Sequence, residues 1–211
     1  MIRVYCTTVP GTSRYATQKL MLERMDTPYE FVFGELVNDA PLDACKSMQH
    51  LRNWVNFGQP LECTARSWGC KQVMLAAMEK VYNDGDEWSL VIQDDVKLID
   101  NWQYTAKRLI EAAPDYAGSI SVLGGWICNS KIPINELFYK SPGYAGLSEP
   151  AQLIRRWYAK ANADAMKECP AESDWCYHIH SGDNALIRSR QPLAYPRRAV
   201  PSTIEITPIG L

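Results

Sequence analysis

The chain has 211 residues, 46% hydrophobic and 22% charged, with 22 Lys and Arg against 24 Asp and Glu for a net charge of −2. This balance excludes disorder, collagen and coiled coil and describes an ordinary globular chain. No Pro/Gly/Ser-rich or charge-run linker divides it, so one domain over 1–211 is expected.

No apolar run reaches the roughly 18 to 20 residues that span a bilayer, and Met1 to Arg14 lacks the apolar core of a signal peptide. The expected location is cytoplasmic, the host cytoplasm if the chain is phage-encoded. The seven cysteines (6, 45, 63, 70, 128, 169 and 176) are odd in number and form no CxxC pair, so they read mostly as reduced thiols. Charge is uneven: residues 1–105 carry 10 basic and 14 acidic side chains, and residues 106–211 carry 12 and 10. Arg188, Arg190, Arg197 and Arg198 fall within eleven residues, which reads as a local anion-attracting field or as an Arg-rich solvated surface.

In chain order, Ile2 to Cys6 reads as a strand, and the breaker-rich stretch from Thr7 to Arg14 as a loop. Tyr15 to Met25 reads as a surface helix with Ala16, Leu20 and Met21 on its apolar side, and Tyr29 to Phe33 as a second strand. Asn38 to Cys63 is irregular, punctuated by Pro41, Gly58 and Pro60. Trp68, Leu75, Met78 and Tyr82 recur at helical spacing over 64–82, behind Thr64 as a possible cap. After the turn Asn83-Asp84-Gly85-Asp86, the buried strand Trp88 to Ile92 runs straight into Gln93-Asp94-Asp95.

A helix over 102–113 follows, with Ala106, Leu109 and Ile110 on its apolar side, then a strand from Ser119 to Leu123 that ends in Gly124-Gly125-Trp126. Residues 127–150 read as a long loop over the site, and Ala151 to Lys167 as helix by composition. Strands alternating with helices argue an α/β fold with a mainly parallel sheet. Ligands of such sheets gather at the carboxyl ends of strands, where Asp94, Asp95 and Gly124 to Trp126 would lie.

Adjacent carboxylates at a strand end suit a hard divalent cation, and such a cation neutralises a sugar-nucleotide diphosphate. A solvated strand terminus or a helix cap is the alternative. Gly124-Gly125-Trp126 either brings backbone and indole against a sugar or makes a tight turn beside a core Trp. Cys169, Cys176, His178 and His180 are zinc-type ligands whose spacing matches no familiar finger.

Trp68-Gly69-Cys70 near a helix start, then Ser89 to Leu98 around Gln93-Asp94-Asp95, then Ser181-Gly182-Asp183-Asn184-Ala185-Leu186, Tyr195-Pro196 and Pro201 to Ile204 together resemble glycosyltransferase family 25. That group contains lipopolysaccharide sugar transferases and collagen galactosyltransferases. The resemblance implies a GT-A-type nucleotide-binding sandwich. It implies a metal-assisted transfer of a sugar from a nucleotide-sugar donor to a hydroxyl of a larger acceptor. Thr7, Thr8, Arg14, Arg66, Gln93, Asp94 and Asp95 then become candidates for the donor, with Asp95 and Asp94 as ligands of Mn²⁺ or Mg²⁺. Asp183 is the candidate general base, since an inverting transfer needs a carboxylate to take the acceptor proton. A turn Asp beside Gly182 is its structural alternative.

Gly124, Gly125, Trp126, Arg197 and Arg198 are candidates for the acceptor, either a glycan precursor or hydroxymethylated pyrimidines in modified DNA, as in phage DNA glycosyltransferases. Two departures stand out. The family's Gly-Cys-x-x-Ser-His is here Gly69-Cys70-Lys71-Gln72-Val73-Met74, and its Glu-Asp-Asp is here Gln93-Asp94-Asp95. They keep open a non-catalytic sugar-nucleotide binding protein. A nucleotidyltransferase, the third class, normally carries a Gly-rich basic loop, whereas Thr7 to Arg14 holds one Gly and one Arg.

Overall fold

The structure, a computed structural model, describes residues 1–38, 61–124, 131–140, 150–168 and 185–197, the side chains of 61–67 excepted. Its elements are β1 (Val4–Thr8), α1 (Ser13–Arg24), β2 (Tyr29–Phe33), α2 (Leu61–Asp84), β3 (Trp88–Gln93), β4 (Val96–Leu98) and α3 (Trp102–Ala112). There follow β5 (Ser119–Ser121), β6 (Ile132–Pro133), β7 (Phe138–Lys140), β8 (Ala151–Arg155), α4 (Arg156–Glu168), β9 (Leu186–Ser189) and β10 (Ala194–Pro196).

Eight strands form one sheet in the order β2-β1-β3-β8-β5-β9-β7-β6. β1 pairs in parallel with β2 and β3, and β5 with β9. β8 runs antiparallel between β3 and β5, and β7 antiparallel between β9 and β6, so β8 and β7 alone oppose the common direction. The architecture is therefore the expected α/β fold with a mainly parallel central sheet. A separate antiparallel ribbon joins β4 to β10, pairing Val96 with Pro196.

Side-chain alternation along the strands builds two cores. Val4, Cys6, Leu90, Ile92, Leu153 and Ile120 face α1 and α3, where Leu22, Trp102, Ala106 and Leu109 complete one core. Tyr5, Val91 and Ile154 face α2 and α4, which contribute Met74, Met78, Val81, Tyr158 and Met166 to the other. Strands buried on both sides, as in the VYCTT of β1, read as continuous runs rather than alternations.

Several expected boundaries move for physical reasons. β1 extends through Thr8, so both threonines sit in the sheet and not in the following loop. Ala151 to Arg155 is a strand between two others, and helix begins only at Arg156. The run Ala-Gln-Leu-Ile-Arg, buried on both faces through its first four residues, carries no period that separates strand from helix. Within the expected 127–150 loop, β6 and β7 form a hairpin. In α1 the buried positions are Arg14, Gln18 and Leu22, while Leu20 is 56% exposed. The sheet-facing side of α1 is thus partly polar, which hydrophobic spacing cannot reveal.

Candidate functional site

β1 and β3 are parallel neighbours with Thr7 in register with Gln93, so their carboxyl ends open side by side. Asp94 and Asp95 follow immediately. Thr8 Oγ1 donates to Asp94 Oδ2 at 2.6 Å, and the neighbouring Thr7 Oγ1 donates to the Ile92 carbonyl at 3.4 Å. Thr12 starts α1 by accepting the Tyr15 amide at 3.1 Å, the usual way to satisfy an orphan N–H of the first turn. That start sets Arg14 in the first turn, where its Nη1 lies 3.5 Å from Asp94 Oδ1 and 3.9 Å from Asp95 Oδ2.

The two acids differ in environment. Asp94 is buried and held by Thr8 and Arg14. Asp95 has a side chain 34% exposed overall, yet its Oδ1 is buried and has no hydrogen-bond partner. Burial pushes the Asp95 carboxyl above its ordinary range; Arg14 pulls it down and the Asp94 charge pushes it up. Beneath the pair, burial followed by the charges of Asp94 and Asp95 lifts the Cys6 thiol well above its usual value.

These groups line a cavity of about 80 Å³. Thr7, Thr8, Arg14, Gln93, Asp94 and Asp95 supply its polar wall, and Cys70, Val73 and Met74 of α2 its apolar wall. Next to Cys70, Gly69 lets α2 lie against the segment after β2: a Cβ there would lie 3.1 Å from Val37 Cγ2 and 3.4 Å from the Glu35 carbonyl. Val73 and Met74 stand where the resemblance has Ser and His, so α2 gives this cavity hydrocarbon and sulfur instead of polar ligands. The cavity-lining role of α2 beyond Cys70 was legible only through that motif, since Val73 and Met74 otherwise look like core. A divalent cation fits the polar wall: Asp95 offers an orphaned carboxylate oxygen, and Asp94 offers a second carboxylate beside it. Among the described residues no group of three His, Cys, Asp or Glu side chains converges.

A larger open groove of about 810 Å³ runs along the C-terminal half of α1, past Leu20, Met21, Met25, Lys97, Trp102 and Arg197. Its charged lining is Arg24, Asp26, Lys97, Asp100 and Arg197, whereas the smaller cavity sets two adjacent carboxylates at the carboxyl end of a buried strand, which makes it the better chemical candidate.

Of the other expected residues, Arg66 lies in α2 with its side chain outside those described, and Gly125, Trp126, Asp183 and Arg198 lie outside the described residues, as do Cys169, Cys176, His178 and His180. Gly124 packs beneath Tyr195: a Cβ there would collide with the Tyr195 ring and lie 2.9 Å from Pro192 Cβ. Its amide donates to the Ala194 carbonyl at 2.7 Å. Arg197 ties three elements together, donating from Nε to the Val96 carbonyl at 3.1 Å and from Nη2 to Gln18 Oε1 at 3.2 Å. Its backbone N–H meets the Asp95 carbonyl at 2.7 Å, so it braces the acid-bearing turn while its guanidinium points toward α1. The described arginines of the cluster meet different partners: Arg188 is buried on β9 and donates to Ser121 Oγ at 3.3 Å, and Arg190 lies over the Tyr139 ring at 5.5 Å.

No protein-family model matches this chain, and no curated protein does. Among solved structures it is similar to a glycosyltransferase involved in the glycosylation of the major capsid of PBCV-1, at 14% identity and a TM-score of 0.48, over 95% of this chain and 94% of that one. It is also similar to S. aureus TarS 1–349, at 14% identity and a TM-score of 0.44, over 92% of this chain and 60% of that one. No helix among the described residues is long and apolar enough to cross a membrane.

Proposed function

We propose that the chain is a glycosyltransferase of GT-A type that moves a sugar from a nucleotide-sugar donor to a hydroxyl of a larger acceptor. The observation that carries this reading is the placement of Asp94, Asp95, Thr8 and Arg14 around one cavity at the carboxyl ends of two parallel strands. This is where α/β sheets receive nucleotides, and the groups there suit a cation-neutralised diphosphate. The ordered resemblance of the sequence motifs to glycosyltransferase family 25 supports it independently.

In this reading Asp95 and Asp94 hold Mn²⁺ or Mg²⁺, which supplies charge neutralisation of the departing nucleoside diphosphate. Thr8 fixes the Asp94 carboxylate, and Thr7 and Gln93 complete the polar rim against the donor. The sugar C1–O bond to phosphate breaks as the acceptor oxygen bonds to C1, and Asp183 takes the acceptor proton. The acceptor is a glycan or hydroxymethylated pyrimidines in DNA; acceptor glycosylation by the intact chain separates the two.

Gln93 in place of an acid favours a second reading, a sugar-nucleotide binder without turnover. Donor hydrolysis by wild type, lost in Asp95→Ala, supports the enzyme. Donor binding without release of nucleotide under any condition supports the binder.

A further inference from the structure

We propose that the β6–β7–β9 end of the sheet binds the phosphates of a nucleic-acid acceptor, with Lys131 and Arg190 as its contacts. The inference rests on the transferase reading above and narrows the acceptor of that reading to DNA.

Residues 131–140 and 185–197 build this end of the molecule. They carry Lys131, Lys140, Arg188, Arg190 and Arg197 against one acid, Glu136, in a chain of net charge −2. Three of these cations are directed elsewhere: Arg197 to Gln18 of α1, Arg188 to Ser121, and Lys140 over the Tyr116 ring. Lys131 and Arg190 share one partner. Lys131 directly precedes β6 and Arg190 directly follows β9, the strands on either side of β7. From those two sides both lie over the Tyr139 ring, at 5.0 and 5.5 Å. Both are exposed, and among the described residues neither forms an ion pair with a carboxylate. A ring face attracts a cation without neutralising its charge, so Tyr139 holds two open charges side by side.

Their position relates them to the acids. β8 runs antiparallel to both β3 and β5, and β9 runs parallel to β5, so β9 has the direction of β3. Arg190, just past the end of β9, therefore stands on the same edge of the sheet as Asp94 and Asp95. Only β8 and β5 separate β3 from β9, which places the cations roughly 14 Å along that edge from the acids at about 4.8 Å per strand. A strand of nucleic acid with one nucleotide at the cavity reaches that distance within a few nucleotides.

The chemistry selects the partner. A neutral glycan offers hydroxyls, which compensate poorly for the water lost by an ammonium and a guanidinium. Phosphodiester oxygens give the guanidinium fork a bidentate partner and the ammonium an opposite point charge. A glycan with a single acidic group occupies one of the two cations, whereas each nucleotide of a strand adds a phosphate. Such contacts read no base; they position the strand while the residues at the cavity choose the nucleotide.

Fluorescence anisotropy of a labelled single-stranded oligodeoxynucleotide, measured against salt concentration, tests the proposal for wild type, Lys131→Gln, Arg190→Gln and the double variant. Lys107→Gln removes the same charge from the exposed face of α3, where Lys107 pairs with Glu111. Near 0.1 M salt each single variant of the pair is expected to bind about 3- to 10-fold more weakly, and the slope of log affinity against log salt to fall by about 0.7 per lost phosphate contact. Lys107→Gln binds as wild type. Release of nucleotide from donor without acceptor is the same in every variant, since none of these side chains lines the donor cavity, and melting curves show that each variant folds.

No oligonucleotide binding by wild type, unchanged binding in the double variant, or equal weakening by Lys107→Gln overturns the proposal. Tighter binding of a phosphorylated mannan than of the oligonucleotide, lost in the same variants, overturns the nucleic-acid assignment in favour of a glycan. Absence of nucleotide release from any donor by wild type overturns the transferase reading, and with it the acceptor role of this surface, even where oligonucleotide binding persists.

Discussion

Thr8 at the end of β1 donates a 2.6 Å hydrogen bond to Asp94 at the end of β3, linking residues 86 apart in the chain and fixing a carboxylate at the mouth of the sheet. The bond is charge-assisted and buried, so it counts for more than an ordinary hydroxyl contact. Thr8→Val keeps the shape and removes the donor. We expect a loss of about 1–2 kcal/mol in stability and about a 10-fold drop in donor turnover, with Thr8→Ser retaining most of both. Chemical denaturation and nucleotide-release assays check this; unchanged turnover in Thr8→Val would show that the bond does not position Asp94 for the reaction.

Asp95 is a conflict between folding and chemistry. Its carboxyl is raised above the ordinary 3.8 mainly by burial, so the folded chain holds that proton more tightly than the unfolded chain. Stability from this source is full below the ordinary value and is lost as pH rises through the folded value. Asp95→Asn removes that dependence. It is expected to melt above wild type near neutral pH, with the difference shrinking toward about pH 4, and to lose donor turnover at least 10-fold. A difference that grows on acidification would contradict the assignment.

Gly124 sits directly under Tyr195, where any Cβ meets the ring. Gly124→Ala should destabilise by about 1–3 kcal/mol through overpacking, or roughly 2–12 °C in Tm at this chain length. Tyr195→Ala in the same chain should recover part of that loss. A Gly124→Ala variant of wild-type stability would mean the Tyr195 ring moves freely and Gly124 is not a packing glycine.

The two described cysteine thiols should differ sharply. Cys6 is fully buried with its thiol pushed well above the usual value, whereas Cys70 is partly exposed and lines the candidate cavity. The thiolate is the reactive form, so alkylation at about pH 8 mapped by mass spectrometry should label Cys70 and spare Cys6. Saturating nucleoside diphosphate with Mn²⁺ should slow Cys70 labelling several-fold; labelling indifferent to nucleotide would place the donor elsewhere.

The parts of this molecule legible in the sequence are those where periodicity or a breaker coincides with one physical role. The β3 strand ending at Asp94 and Asp95 is legible because a buried run stops abruptly at two acids, and α3 because its apolar face repeats cleanly from Trp102 to Leu109. β8 was not, because residues buried on both sides carry no alternation, and Ala-Gln-Leu-Ile-Arg serves strand and helix equally well by composition. The sheet-facing side of α1 was hidden because Arg14 and Gln18, which face Asp94 and Arg197, occupy positions where a hydrophobic pattern would be expected. The arginine cluster misleads for a different reason, since neighbours in sequence at 188, 190 and 197 point to separate partners in space.

The central claim is that the Asp94–Asp95 cavity receives a nucleotide sugar, and a donor panel tests it most directly. UDP-, GDP-, ADP- and CMP-sugars, each with and without Mn²⁺, would be scored by thermal shift and by released nucleotide for wild type and Asp95→Ala. The account predicts that one donor class stabilises wild type, releases nucleotide in a metal-dependent way, and loses release in Asp95→Ala. No shift and no release from any donor, or full release by Asp95→Ala, would contradict it.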